Sequence, residues 1–232
     1  MDAFAWAHEA TVKLQEEFGN RLVFVGLQGS RARGEAHKGS DIDLVVLLDH
    51  VRSADLARYR TLIQSMPHAE LACGFVGAAD VLAAWPRHEL FQFAHDTHAI
   101  YGDLAPIVGS FTRDDAIQAA RIGASGIYHA ACHASVFDGD AIDEILQSLF
   151  KGAFFTLQAL HFARTGIYPR TKAELAQHLE DNGPENEARI LEIGRSWKAN
   201  CPATDIERQA MVDLLLEWSG EILKTDEEPE EV

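Results

Sequence analysis

The sequence predicts an α+β protein, with a mixed-sheet N-terminal domain followed by an all-helical bundle. Up to about residue 110, short apolar runs that suit buried strands alternate with segments of helical periodicity. From residue 111 onward, apolar residues recur only at helical spacing. We therefore place one domain at residues 1–110 and a second at 111–225. The acidic residues of 226–232 predict a disordered tail.

The first half contains strand and helix signals in alternation. Asp2 is a suitable N-cap for a helix that ends near Gly19, and Pro67 lies beyond the end of a helix predicted at residues 53–65. Apolar runs predict strands at residues 22–27, 41–48, 70–76 and 99–101. Short helices are expected at 81–85 and 89–93. This mixture indicates a sheet covered by helices.

The second half contains only helix signals. Thr112 and Asp115 have the spacing of a capping box, which predicts the start of a helix that runs to about residue 136. A long helix from Asp140 stops at Gly166, and shorter helices fit 172–180 and 186–198 before a final one. Gly123 and Gly126 weaken the first of these helices, so we interpret them as a place where another helix approaches closely.

Composition excludes several classes of partner. Of 232 residues, 20 are Lys or Arg and 36 are Asp or Glu, a net charge of −16. Such a chain is poorly suited to long nucleic acid or to an anionic membrane, because both require clustered basic residues. Residues 21–60 differ from the rest of the chain, because they contain more basic than acidic side chains. This local positive charge indicates a place where an anion could bind.

The number of cysteines and the N-terminal residues indicate the cellular compartment in which we expect the protein. Three scattered cysteines argue against a disulfide framework. There is no basic N-terminal leader and no apolar run of about 20 residues, the length a membrane span needs. We therefore expect a cytoplasmic protein.

The stretch from residue 27 to residue 44 carries the chemistry. Asp41 and Asp43 lie two positions apart on a predicted strand, so both carboxylates project to the same side. Two carboxylates that close repel each other unless a cation lies between them, and oxygen ligands favour Mg²⁺. Gly29 permits close backbone approach to a ligand, and Ser30 offers a hydroxyl. Arg31, Arg33 and Lys38 add positive charge for phosphate oxygens.

Gly29-Ser30 followed by Asp41-x-Asp43 resembles the signature of the DNA polymerase beta-type nucleotidyltransferase superfamily, above all its minimal and antibiotic-modifying branches. The resemblance implies that Gly29 and Ser30 hold the β- and γ-phosphates of a nucleotide. It also implies that Asp41 and Asp43 bind Mg²⁺ in a two-metal site, with Ser40 among the nucleotide-binding residues. The helical half is similar to the bundles of kanamycin-type transferases and of HEPN-like domains.

The same resemblance implies a third carboxylate, which would bind the second metal or accept the acceptor's proton. Glu70 is our candidate, because it begins the next apolar run and alternates there with Ala72 and Gly74, whose small side chains leave a cleft open. Asp80, in a loop or at a helix start, is the alternative.

The expected activity is transfer of a nucleoside monophosphate from a nucleoside triphosphate, with ATP as the expected donor, to a hydroxyl of a small molecule or protein. Pyrophosphate would leave. The alternative is an antitoxin-like regulatory module that binds nucleotide and dimerises through its bundle. A homodimer through the bundle is possible under either hypothesis. The sequence leaves the acceptor, the base and the oligomeric state open.

Overall fold

A mixed four-stranded sheet with helices on both faces forms the first part of the described chain, and helices form the second. The computed structural model describes residues 1–224, apart from the side chain of Asn182. The chain divides into two units, with the boundary between Phe111 and Thr112. The tail predicted at residues 226–232 lies outside the described residues. The α+β class predicted from the sequence is confirmed.

The sheet has the strand order β3-β2-β1-β4. Its strands are β1 (Leu22–Gln28), β2 (Ile42–Leu48), β3 (Ala72–Ala78) and β4 (His98–Tyr101). Strand β1 pairs antiparallel with β2 and β4, whereas β2 and β3 are parallel. Three strand starts differ from the prediction, and one of them is β4, which begins one residue early at His98. Asp41 lies just before β2, and a 3₁₀ turn at Ala69–Leu71 delays β3, so Glu70 lies outside the strand.

Helices cover both faces of this sheet. They are α1 (Ala3–Phe18), α2 (Gly29–Ala32), α3 (Ser53–Gln64), α4 (Ala79–Ala83), α5 (Arg87–Asp96) and α6 (Ala105–Val108). The Asp2 carboxylate accepts hydrogen bonds from the amides of Phe4 (2.9 Å) and Ala5 (3.2 Å), which confirms the predicted cap of α1.

Alternation along β2 assigns its side chains to two cores. Leu44 and Val46 belong to a cluster with residues of α1, whereas Val45 and Leu47 belong to a cluster with residues of α5 and α6. Both faces of β2 are therefore buried, as its nearly continuous apolar sequence predicts. Asp43 has the parity of Val45 and Leu47, so it projects from the face that α5 covers.

The second unit consists of α7 (Arg113–Phe137), α8 (Ile142–Thr165), α9 (Lys172–Asn182), α10 (Glu185–Arg195), α11 (Trp197–Asn200) and α12 (Asp205–Lys224). The Thr112–Asp115 capping box is present, with reciprocal bonds of 3.2 Å and 2.9 Å. The core of the second unit includes the buried side chains of Phe150 and Trp218. No helix within residues 1–224 combines the length and apolar character that crossing a bilayer requires.

The two glycines of α7 differ in their surroundings. A Cβ atom at Gly123 would lie 2.2 Å from Oγ1 of Thr156 on α8, whereas one at Gly126 would meet no atom within 4 Å. The predicted close approach is therefore confirmed at Gly123, and it was wrong at Gly126, which faces open space.

Candidate functional site

Gly29 lies directly against the carboxylate of Asp43. It is the first residue after β1 and has a φ of +73°, in the left-handed region that side chains disfavour. A Cβ atom built on Gly29 would lie 2.1 Å from Oδ2 of Asp43. Both the backbone conformation and the close contact therefore require a residue without a side chain. The predicted role of Gly29, close backbone approach, is here an approach to a carboxylate of the protein itself.

The Asp43 carboxylate is half-buried and electrostatically strained. Burial, followed by the nearby charges of Asp41 and Asp96, raises its pKa, and the guanidinium groups of Arg33 and Arg31 oppose this only in part. Across the described residues, no protein group donates a hydrogen bond to it. A half-buried, unpaired carboxylate beside other carboxylates is unfavourable until positive charge reaches it.

Asp41 is the exposed member of the pair. Its carboxylate has no hydrogen-bond or ion-pair partner in residues 1–224, although its backbone carbonyl accepts a hydrogen bond from Arg31 Nε at 3.0 Å. The donor set at Asp41 and Asp43 therefore consists of free carboxylate oxygens, one group exposed and one half-buried. This chemistry fits a hard divalent cation such as Mg²⁺ that keeps several waters.

Glu70 does not join this pair. Its side chain is 71% exposed, and its carboxylate lies 3.6 Å from Nδ1 of His68. The β3 residue in register with Asp43 is Cys73. Asp80, the alternative, lies beyond the other end of β3, where its carboxylate accepts a hydrogen bond from the Val81 amide at 2.8 Å. No group of three or more His, Cys, Asp or Glu side chains among the described residues is arranged to hold a metal ion.

Asp96 is the carboxylate that the structure brings to this place instead. It ends α5, and its Oδ2 accepts a hydrogen bond from the Gly29 amide at 3.1 Å. Its Oδ1 pairs with the guanidinium of Arg33. The sequence analysis did not identify Asp96. One signal could have found it: an acidic residue in the last turn of a helix opposes the helix dipole, so its presence calls for a compensating contact.

Arg31 and Ser40 are engaged within the protein. Arg31 donates to the Ser40 carbonyl from Nη2 at 2.6 Å and from Nε at 3.0 Å. The Ser40 hydroxyl is buried and accepts the His37 amide at 3.0 Å. These contacts hold the loop between α2 and β2 in place. Arg31 thus positions Asp41 through the backbone, whereas the sequence analysis expected its guanidinium at phosphate oxygens.

Arg33 is also held by carboxylates. Besides Asp96, it contacts Oε2 of Glu35 at 3.3 Å, and only 10% of its side chain is exposed. Ser30 and Lys38 differ from these residues. Neither the Ser30 hydroxyl nor the Lys38 ammonium has a hydrogen-bond or ion-pair partner in the part of the chain that is described. Of the predicted phosphate-binding side chains, these two are unengaged.

Comparison with known families matches one part of the chain. The model of the nucleotidyltransferase domain family matches residues 12–72. This segment spans the second half of α1 from residue 12 onward, both strands β1 and β2 and the connection between them, so it includes Gly29, Ser30, Asp41 and Asp43. Asp96 lies outside it. No curated protein matches the chain.

Two solved structures are similar to the fold. The spectinomycin adenyltransferase AAD(9) from Enterococcus faecialis, crystallised with ATP and spectinomycin, superposes with a TM-score of 0.54 at 15% identity, over 93% of this chain and 97% of that one. A toxin–antitoxin structure with AMP-PNP reaches a TM-score of 0.31 at 21% identity, over 57% of this chain and 96% of that one. The first likeness supports the fold across both units.

Proposed function

We propose that this chain, a nucleotidyltransferase of the DNA polymerase beta-type superfamily, moves a nucleoside monophosphate from ATP to a hydroxyl group of a small molecule or protein. The observation that carries the proposal is the contact between Gly29 and Asp43, with Asp41 beside them. Within residues 1–224, this contact puts carboxylate oxygens without a hydrogen-bond donor next to a turn whose Ser30 hydroxyl has no partner. Carboxylates and a serine in this arrangement suit a metal-bound triphosphate.

Asp41 and Asp43 are the residues that would hold Mg²⁺. When bound there, the ion would neutralise charge on the triphosphate. The Ser30 hydroxyl and the Lys38 ammonium, both unengaged, would contact phosphate oxygens, while Arg31 and Arg33 keep the surrounding loop in place. The chain's contribution to rate is then positioning and charge complementarity, which dominate phosphoryl-type transfers.

The reaction exchanges one phosphorus–oxygen bond for another. The acceptor oxygen bonds to the α-phosphorus, the bond to the bridging oxygen breaks, and pyrophosphate leaves. The hydroxyl proton goes to a base, for which Glu70 stays our proposal although its carboxylate contacts His68. Glu70→Gln tests this assignment. A large fall in kcat with KM for ATP unchanged supports it, whereas an unchanged kcat removes Glu70 from the mechanism.

The donor and the acceptor class are part of the proposal. The adenyltransferase of similar fold was crystallised with ATP and with spectinomycin, a small molecule, which supports ATP and a small hydroxyl-bearing acceptor here. The net charge of −16 favours cationic acceptors and weakens the case for a nucleic-acid strand.

A nucleotide-binding regulatory module is the second candidate. It is favoured by the placement of Glu70, since the described residues hold no assembled group of three carboxylates for a two-metal site. Such a module would bind ATP and release no pyrophosphate. A homodimer through the bundle is a further prediction of this alternative.

One experiment separates these candidates. The protein is incubated with Mg²⁺, each of the four NTPs and a panel of aminoglycoside, spectinomycin-like and protein acceptors, and pyrophosphate and acceptor mass are followed. We expect turnover with ATP that falls at least about 100-fold in Asp41→Ala/Asp43→Ala. The matched control is Glu89→Gln, an exposed acid in the first turn of α5. ATP binding without pyrophosphate supports the regulatory module, and no nucleotide binding contradicts both.

A further inference from the structure

The Gly29 turn is tied to the junction between α5 and β4 by two consecutive residues. Gln28 donates its side-chain amide to the Phe93 carbonyl at 3.0 Å and to the Thr97 hydroxyl at 2.7 Å. The next residue, Gly29, donates its backbone amide to Asp96 at 3.1 Å. Side chain and backbone thus fasten the end of β1 to the end of α5. We call these contacts the α5 clamp.

Asp96 is the charged centre of the clamp. Its side chain is only 14% exposed, and each of its oxygens holds a donor: Oδ2 the Gly29 amide, Oδ1 the Arg33 guanidinium. Hydrogen bonds to an ionised acceptor are stronger than neutral ones. Both oxygens of Asp96 thus already accept a hydrogen bond from the protein itself. Its chemistry is that of an anchor.

The α5 clamp holds the contact between Gly29 and Asp43, which leaves no space for an additional atom. Gly29 lies so close to Asp43 that a single added carbon would overlap the carboxylate, and its φ of +73° is one that the turn must hold. Without Asp96, the Gly29 amide and the Arg33 guanidinium each lose an anionic partner. The turn then loses a contact that holds it against Asp43, and Arg33 keeps its contact with Glu35.

We infer that Asp96 is a positioning residue for nucleotide binding, which holds the Gly29–Ser30 turn against Asp43 through the Gly29 amide and Arg33. This role rests on the proposed function and deepens it, since it assigns a part to a carboxylate outside the segment that resembles known nucleotidyltransferases. Asp96 acts through Gly29 and Arg33 and makes no contact with substrate in this role.

The test compares Asp96→Ala, Asp96→Asn and wild type in two measurements. The first is hydrogen–deuterium exchange of the peptide that contains Gly29, without nucleotide. The second is calorimetric binding of an ATP analogue with a methylene group between the α- and β-phosphates, at fixed Mg²⁺. Asp96→Asn keeps the shape and one acceptor oxygen, so it serves as the conservative variant and also guards against misfolding of Asp96→Ala. Glu89→Gln, on the same helix, is the matched control.

We expect Asp96→Ala to speed exchange at the turn at least about tenfold and to weaken analogue binding about tenfold or more, with Asp96→Asn intermediate and Glu89→Gln unchanged. Unchanged exchange in Asp96→Ala overturns the clamp. Faster exchange with an unchanged Kd, or tighter binding, overturns the positioning role. If wild-type protein binds no analogue, the proposed function fails and the nucleotide role of Asp96 fails with it, while exchange still decides whether the clamp exists.

Discussion

At the scale of single residues, the site is shaped by one glycine and one carboxylate. Gly29 accepts a backbone conformation that other residues avoid, and the space it leaves is filled by an oxygen of Asp43. Asp43 in turn is held half-buried near Asp41 and Asp96, which is unfavourable for an ionised group. Residues that lower stability in this way are typical of functional sites, where the missing charge is supplied by a ligand.

Asp43→Asn should stabilise the protein in the absence of ligands. The pKa of Asp43 is higher in the folded protein than in the unfolded chain. The protonated carboxyl therefore stabilises the fold at pH values below the unfolded-state pKa, and this stabilisation is lost as the pH rises through the folded-state pKa. At pH 7 the wild-type charge is therefore destabilising, and its removal should raise Tm by on the order of 1–3 °C. Thermal unfolding at pH 7 with EDTA measures this. A fall in Tm would contradict the electrostatic account, and the same variant should lose transfer.

Gly29→Ala and Gly34→Ala form a matched pair. Both positions have positive φ, +73° and +72°, but a Cβ at Gly34 would meet no atom within 4 Å, whereas one at Gly29 overlaps Asp43. Gly34→Ala should cost about 1 kcal/mol from backbone strain alone. Gly29→Ala should cost more and should abolish nucleotide binding. Urea unfolding and calorimetry compare the two, and equal effects would show that the contact with Asp43 does not matter.

At the scale of secondary-structure elements, different kinds of contact join the elements in the two units. In the first, the strand ends are fastened by side chains: Arg21, just before β1, contacts both carboxylate oxygens of Asp55 on α3 at 2.8 and 3.0 Å. These bonds hold the pKa of Asp55 well below its usual range. In the second, helices approach through small residues, and a bidentate pair of Arg164 and Glu187 joins α8 to α10 at 2.7 Å.

Gly123→Ala and Gly126→Ala should change stability in opposite directions. Both glycines lie within α7, where alanine is the better helix former by about 1 kcal/mol. At Gly126 there is space, so this gain is expected in full. At Gly123 the new methyl group would overlap the buried Thr156, and overpacking of this kind costs about 1–3 kcal/mol. Chemical denaturation measures both, and stabilisation by Gly123→Ala would contradict the close approach of α7 and α8.

At the scale of the whole molecule, the cores follow the division of the chain. The clusters around Leu44 and Val45 belong to the first unit, and the cluster around Phe150 and Trp218 belongs to the second. Each unit thus has the apolar core that independent folding requires. The acidic excess also follows this division along the sequence, since most of it lies after residue 110, whereas residues 21–60 have more basic than acidic side chains.

Segments 1–111 and 112–232, expressed separately, should each fold. The reason is that each described cluster draws its residues from one unit. We expect a cooperative thermal transition for each segment by circular dichroism, and ATP binding by the first segment, which contains Gly29, Ser30, Asp41 and Asp43. A first segment without a cooperative transition would show that its core is insufficient by itself.

The sequence by itself determined the class of the fold, most of the elements and the motif from Gly29 to Asp43 on which the proposed nucleotide site rests. Those features depend on local signals: apolar periodicity, the caps at Asp2 and Thr112, and the spacing from Gly29 to Asp43. A two-residue shift at the start of β3 was enough to remove Glu70 from its predicted strand, because propensity defines the ends of elements poorly.

Only the tertiary structure decided which groups surround the motif. It brought Asp96 to Gly29 from 67 residues away and engaged Arg31 and Arg33 within the protein. Within residues 1–224 it left the Ser30 hydroxyl and the Lys38 ammonium without a partner. It also showed that Gly123 packs closely against Thr156 whereas Gly126 faces open space, although the sequence gives both glycines the same interpretation. The physical reason is the same in each case. Contacts between residues distant in the chain depend on how strands and helices pack, and no local pattern of residues records that packing.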